Sequence, residues 1–184
     1  MRSSRMSKNV IKTERLEIKY PEKKNGMELA ELINDHSVVK WLSNVPFPYT
    51  FLHAEEFIAR SEVKKLKGEA FNFMIFKNKY LIGGIGFSEF KDNSCELGYW
   101  LGTKYWGQGF ATEAVKGFLR EASNELDINE IFAAYKTGNE ASKNVLIKCG
   151  FEYCGEKMEF DSILQEEVCL TNMVLNNKAR RNFQ

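Results

Sequence analysis

The sequence predicts a mixed α+β domain, and three observations carry that reading. Short apolar runs joined by two- or three-residue turns alternate as strands, longer segments repeat their apolar residues at helical spacing, and one strand leads through a glycine loop into a helix and on to another strand. The short links imply antiparallel hairpins, whereas the strand-helix-strand passage makes its two strands parallel and the connection right-handed.

Taken in order, Thr13 to Lys19 alternates Leu16 and Ile18 with charged residues and is read as a half-exposed strand. Met27 to Leu42 places Leu29, Leu32, Ile33 and Val39 at helical spacing, and a second helix is expected from Leu52 to about Lys67. The connection Ser43 to Thr50 holds Pro46 and Pro48 and cannot be helical. Strands follow at Phe71 to Phe76, Tyr80 to Phe87 and Ser94 to Leu101, turned by Lys77-Asn78-Lys79 and Lys91-Asp92-Asn93. A helix from Phe110 to about Glu125, a strand from Ile131 to Tyr135 and a helix from Glu140 to Cys149 come next. Strands at Phe151 to Phe160 and Glu166 to Leu175 complete the domain, expected to span 10–176 between a flexible extension at 1–9 and a basic tail at 177–184.

At 184 residues and 43% hydrophobic content, the chain suits one domain burying about 70% of its unfolded surface. Lys and Arg total 26 against 25 Asp and Glu, so the net charge of +1 offers no broad footprint for nucleic acid or an acidic membrane. No apolar run reaches the roughly 18 residues of a membrane span. Cys95, Cys149, Cys154 and Cys169 form no Cys-x-x-Cys pair and lie far in sequence from His36 and His53, so no metal is expected. Buried reduced thiols and a cytoplasmic protein are the expectation.

The most informative segment is Tyr105-Trp106-Gly107-Gln108-Gly109-Phe110-Ala111-Thr112-Glu113-Ala114, directly behind the strand ending at Leu101. The first N–H groups of a helix lack backbone partners, and the helix dipole adds about half a positive charge there. With no side chains at Gly107 and Gly109, a pyrophosphate can approach the backbone, although glycines here also suit a plain tight turn. A dinucleotide fingerprint is disfavoured, because Thr112 stands where G-x-G-x-x-G needs its third glycine and the preceding strands form a meander.

On these residues the chain resembles the GNAT-fold N-acetyltransferases, in particular the branch of Rim-type enzymes that acetylate ribosomal-protein N-termini. The resemblance runs through Thr13-Glu14-Arg15-Leu16, Pro46-Phe47-Pro48-Tyr49-Thr50, Glu96-Leu97-Gly98-Tyr99-Trp100-Leu101-Gly102 with the glycine loop, Gly138-Asn139-Glu140-Ala141-Ser142 and Lys148-Cys149-Gly150-Phe151. It implies a GNAT fold: a central, mostly antiparallel sheet with one parallel pair that splays, flanked by helices. It also implies acetyl-CoA as cofactor, its pantetheine arm added to the free strand edge at Trp100, Leu101 and Gly102 and its pyrophosphate on the amides of Trp106, Gly107, Gln108, Gly109, Phe110, Ala111 and Thr112. Lys104 stands where the family's phosphate motif has Gln or Arg and offers phosphate a point charge.

Acetyl transfer from a thioester needs a neutral amine, a stabilised oxyanion and a proton for the departing thiolate. The tyrosine acid common in the family is replaced by Leu146. Ser142 matches the serine of the Rim-type branch and is the candidate acid, with Asn139 a cofactor contact; both residues also suit helix caps. Glu96 is the candidate base, on the same strand face as Gly98 and Trp100, with Glu89 in reserve and an ordered water as intermediary for either. The oxyanion is expected on an amide near Trp100 to Gly102. Trp41, Phe47 and Tyr49 either wall the acceptor cleft or pack beneath the proline loop, and His36 and His53 are read as surface or packing residues.

An α-amine of pKa about 8 is roughly a tenth neutral at pH 7 and a lysine about 0.04%, a difference of about 3 kcal/mol that suits a lightly equipped site to protein N-termini. The expected activity is therefore direct acetyl transfer to a protein N-terminus, by a monomer or homodimer. Acetylation of a small amine (a polyamine, amino acid or aminoglycoside), a non-catalytic acyl-CoA-binding module and a nicotinamide-binding protein remain rival readings.

Overall fold

Alternating burial builds the sheet. The computed structural model describes residues 6, 8–43, 45–161 and 164–176, and its strands are β1 (Val10–Lys12), β2 (Glu17–Lys19), β3 (Phe71–Lys77), β4 (Tyr80–Lys91), β5 (Ser94–Leu101), β6 (Glu130–Lys136), β7 (Glu152–Asp161) and β8 (Glu166–Asn176). The helices are α1 (Gly26–Ile33), α2 (His36–Val39), α3 (Phe51–Lys67), α4 (Phe110–Glu125) and α5 (Glu140–Lys148), with 3-10 turns at Lys23–Asn25 and Thr103–Tyr105. Among the described residues the strands form an eight-stranded sheet in the order β1-β2-β3-β4-β5-β6-β8-β7. All neighbours are antiparallel except β5 and β6, the pair that the crossover through α4 requires to be parallel.

Period two decides which helix each strand residue meets. Phe71, Phe73 and Ile75 of β3 face the core shared with α4 and α5, where Phe118 lies 4.8 Å from Phe87 and 5.2 Å from Phe73 between ring centroids. Met74 and Phe76 face the opposite way, into a second cluster with Leu29 and Ile33 of α1 and Ala54 and Ile58 of α3. A strand buried on both sides has no polar face, which is why Phe71 to Phe76 is apolar at every position but Asn72.

Some elements depart from expectation. The helix expected over 27–42 is two, α1 and α2, because Asn34 and Asp35 interrupt it. Asp35 accepts a hydrogen bond from Ser37 N at 2.8 Å as the cap of α2, and Asn34 Oδ1 accepts one from Tyr49 N at 3.0 Å. Such short polar side chains compete with helical backbone bonding. The strand expected over 13–19 is only β2, preceded by β1, with Thr13 N donating to Leu16 O at 3.0 Å to close the turn. Within the expected 1–9 extension, Met6 is buried in the main core and Lys8 pairs with Glu121, while residues 1–5 and 7 lie outside the described residues, as does the 177–184 tail. Cys95 and Cys149 are buried thiols outside any disulfide, as expected, but Cys154 is exposed and Cys169 half-buried.

Candidate active site

Between β5 and α4 the chain makes two left-handed glycine conformations, φ +71° at Gly107 and +81° at Gly109. In a residue with a Cβ each would cost about 1–2 kcal/mol. A Cβ built on Gly107 would meet nothing within 4 Å, so the backbone there is open to an approaching group. The first intrahelical bond of α4 runs from Glu113 N to Gly109 O at 3.1 Å, leaving the N–H groups of Phe110, Ala111 and Thr112 directed out of the helix start. The Phe110 side chain is 2% exposed in the core, so only its backbone faces the loop.

A clasp from the start of the chain holds this loop. The Glu113 carboxylate accepts from Thr13 Oγ1 at 2.6 Å, from Arg15 N at 2.7 Å and from Arg15 Nε at 2.6 Å, while Arg15 Nη1 donates to Gln108 O at 3.2 Å. The Arg15 guanidinium also sits 4.5 Å from the Phe110 ring centroid. Burial raises the Glu113 pKa, but the bonds from Thr13 and Arg15 outweigh it and hold the carboxyl below its usual value. The sequence alone gave Thr13 and Arg15 no role beyond resemblance.

β5 pairs with β6 only over Ser94↔Glu130, Cys95↔Ile131 and Glu96↔Phe132, so beyond Glu96 its β6-facing edge is unpaired. On the other side, Gly102 N donates to Ile82 O at 2.9 Å. The alternation of antiparallel pairing then sends Trp100 toward β4 and leaves the Tyr99 and Leu101 N–H groups for the open edge. This corrects the expectation for Gly102 and Trp100, whose amides serve the sheet. The Leu101 carbonyl is taken by Trp106, whose Nε1 donates to it at 2.7 Å.

A cavity of about 1030 Å³ opens along this edge. Of the expected residues, Trp41, Tyr49, Glu96, Trp100, Leu101, Trp106, Gly107, Gly109, Phe110, Ala111, Thr112, Asn139 and Ser142 line it, whereas Phe47, Gly102, Lys104 and Gln108 do not. Phe47 instead sets its ring edge against His36, 5.5 Å between centroids. Lys104 is exposed, and the Gln108 side chain turns back to donate to Lys104 O at 2.8 Å. Tyr49 lines the cavity yet is 7% exposed, and burial pushes its phenol up to about 12. His53 is a cap partner, its Nδ1 accepting from Thr50 N at 3.1 Å.

Tyr99 was not singled out from the sequence. Its Oη lies 2.9 Å from Ser142 Oγ and donates to Ser142 O at 3.1 Å, and burial raises its pKa well above the usual phenol value. Asn139 caps α5, its Oδ1 accepting from Ser142 N at 3.1 Å, so Ser142 is held from both sides. Leu146, where the family's tyrosine would stand, is fully buried in the core. Glu96 projects from the opposite face of β5 and is exposed where the cavity opens. Desolvation by the surrounding protein raises its pKa; Lys157 opposes the shift, and Glu89 and Glu159 add to it. Glu89 itself sits at φ +51° where the β4–β5 register shifts. Among the described residues no cluster of His, Cys, Asp or Glu has the makings of a metal site, and no helix is long and apolar enough to cross a membrane.

A sheet opened between two parallel strands, with a glycine turn starting the next helix and a hydroxyl pair at the opening, defines an acyl-transferring class of enzyme. The acetyltransferase (GNAT) domain model matches residues 15–152, and the chain belongs to that family as an N-acetyltransferase of GNAT type. It is 28% identical over 153 residues to an uncharacterized N-acetyltransferase, p20, of Bacillus licheniformis, covering 81% of this chain and 85% of that protein. It is also 28% identical over 116 residues to the ribosomal-protein-serine acetyltransferase of Escherichia coli, covering 61% of this chain and 65% of the relative. Among solved structures it resembles RimL, a ribosomal L7/L12 alpha-N-protein acetyltransferase in complex with coenzyme A, with a TM-score of 0.85 at 17% identity over 92% of this chain and 99% of that one. At that identity the likeness shows the fold.

Proposed function

We propose that this protein acetylates the N-terminal α-amino group of a protein, a ribosomal protein or one resembling it, using acetyl-CoA and direct attack of the amine. The observation that carries the reading is the Tyr99–Ser142 hydroxyl pair at the open edge of β5, with Glu96 reaching the same cavity from the other face of the strand. The E. coli relative, named for a ribosomal-protein serine, supports the acceptor class.

The residues present fit acetyl-CoA. The open backbone at Gly107 and the outward N–H groups of Phe110, Ala111 and Thr112 suit its pyrophosphate, and the Tyr99 and Leu101 amides suit the pantetheine amides. When bound, the cofactor supplies the acetyl group as a thioester. Glu96, its proton affinity raised by burial, takes the ammonium proton directly or through water. Tyr99 Oη gives its one proton to Ser142 O, and the 2.9 Å contact between the two hydroxyls holds Ser142 Oγ at the opening, from where it passes its proton to the leaving sulfur and regains one from the attacking nitrogen as the tetrahedral intermediate collapses. Neutralising an α-amine at pH 7 costs on the order of 1 kcal/mol against nearly 5 kcal/mol for lysine, which favours N-termini at a site with a single carboxylate open to the cavity.

The test is release of free thiol from acetyl-CoA with N-terminal peptides, lysine peptides and small amines, wild type beside Ser142→Ala. Turnover on α-amino peptides, slowed by about 100-fold or more in the variant, is expected. Turnover confined to small amines would overturn the acceptor class, and acetyl-CoA binding with no thiol release on any amine would overturn the enzymatic reading of this site.

A further inference from the structure

Lys136 ends β6 and is 4% exposed, an unusual place for an ammonium. Its Nζ donates to Lys40 O at 2.7 Å and to Leu42 O at 2.9 Å, and pairs with the carboxylate of Asp161, itself 6% exposed at the end of β7. Those partners use all three ammonium protons. The Asp161 side chain in turn accepts from Leu164 N at 2.9 Å through Oδ1. Strands β6 and β7 and the segment after α2, all far apart in sequence, therefore meet at one buried charge.

The two carbonyls it holds lie just beyond α2, where Trp41 N donates to Val38 O at 3.1 Å and Leu42 N to Val39 O at 2.9 Å. Between them stands Trp41, whose side chain lines the cavity, with Leu42 and Ser43 beside it. On the β6 side, Ala134 and Tyr135 line the same cavity where the strand has parted from β5. One ammonium thus fixes the far strand of the opening relative to the Trp41 wall. Water does not reach it to substitute for a lost partner, so the spacing is set by short bonds in a low-dielectric interior.

We propose that Lys136 is a positioning residue for acceptor binding: by clamping residues 40–42 to the end of β6, it sets the width of the acceptor half of the cavity while leaving the glycine loop untouched. This rests on the transferase reading above for its kinetic arm only. Lys136→Met alone would strand a buried Asp161 charge and risk misfolding, so the informative protein is the double variant Lys136→Met/Asp161→Leu, which removes both charges and still abolishes the bonds to Lys40 O and Leu42 O. Circular dichroism and thermal melting should show it folded. Its acetyl-CoA Kd should stay within about twofold, and its acceptor KM should rise about tenfold or more, as for loss of a positioning contact. Hydrogen exchange at the amides of 40–43 should quicken by a similar factor, with exchange across the α4 start unchanged.

An acceptor KM within twofold of wild type, or an equal loss of acetyl-CoA affinity, would overturn the proposal and make the pair a brace for the sheet alone. If wild type turns over no amine, the transferase reading fails. The exchange at 40–43 then decides this proposal by itself, unchanged rates overturning it.

Discussion

Replacing Tyr99 with phenylalanine removes one oxygen and nothing else from the cavity wall. In the folded protein that oxygen contacts Ser142 twice, at 2.9 Å to Oγ and at 3.1 Å to the carbonyl, to which it donates. One net hydrogen bond is worth about 1 kcal/mol, so melting should fall by about 2–4 °C for a chain of this size. For catalysis the same about 1 kcal/mol is the cost of letting the Ser142 hydroxyl swing between rotamers, or about fivefold in kcat. Ser142→Ala removes the proton donor itself and should cost about 100-fold or more. Because Tyr99 acts through Ser142, the Tyr99→Phe/Ser142→Ala double variant should be no slower than Ser142→Ala alone, a full non-additivity in the double-mutant cycle. Steady-state thiol release with saturating acetyl-CoA measures all four proteins. Additive losses would refute the argument, because they would mean that the phenol acts independently of the serine.

Gly109→Ala places a Cβ 3.5 Å from the Arg15 terminal nitrogen, an ordinary contact, so its cost is the left-handed backbone, about 1–2 kcal/mol of stability in a denaturant melt. Calorimetry should also show weaker acetyl-CoA binding as the loop shifts its amides. Glu113 has a folded pKa below its unfolded value, so its ionisation stabilises the protein above the unfolded pKa of about 4.3 and that stability is lost as pH falls through the lower folded value. Glu113→Gln should therefore lower the melting temperature at pH 7 and flatten its decline on acidification; an unchanged acid limb would count against the clasp. Glu96 is shifted the other way, its charged form disfavoured by folding, which leaves a penalty at neutral pH that shrinks as pH falls through its raised folded pKa and is gone below the unfolded value of about 4.3. Glu96→Gln should melt no lower than wild type at pH 7 while losing kcat/KM, whose acid limb in the wild type should lie above an ordinary glutamate pKa; a lower melting point with full activity would remove Glu96 from the chemistry.

What was legible in the sequence is what local chemistry decides. Asn78-Lys79 and Asp92-Asn93 turn their hairpins at positive φ where turn residues were read, and Gly107 and Gly109 hold the conformations that make glycine necessary. The break between α1 and α2 was also written locally, in Asn34 and Asp35, but the apolar spacing across it is continuous and masked it. Tyr99 illustrates the harder case. It stands in an alternating strand as one more aromatic facing the core, and its meaning depends on Ser142, 43 residues away. Lys136 and Asp161 look like two surface charges among many, since only tertiary packing buries them together. Phe47 was read as a cleft wall or as packing beneath the proline loop, yet eight residues beyond His36's helix its ring meets that histidine and stays 45% exposed.

The parting of β5 from β6 gives this molecule an unpaired strand edge in the middle of its sheet instead of at the margin. Exposed margins invite other chains to add, a hazard that proteins blunt with charge, bulges or cover. Here the free edge lies recessed between a flanking strand and the α5 start, with Tyr99 and Ser142 at its floor. A chain carrying amides meets there the Tyr99 and Leu101 N–H groups that the parting strand leaves unpaired. The same gap thus keeps backbone hydrogen-bonding capacity on offer inside the molecule, away from the margin where other chains would add.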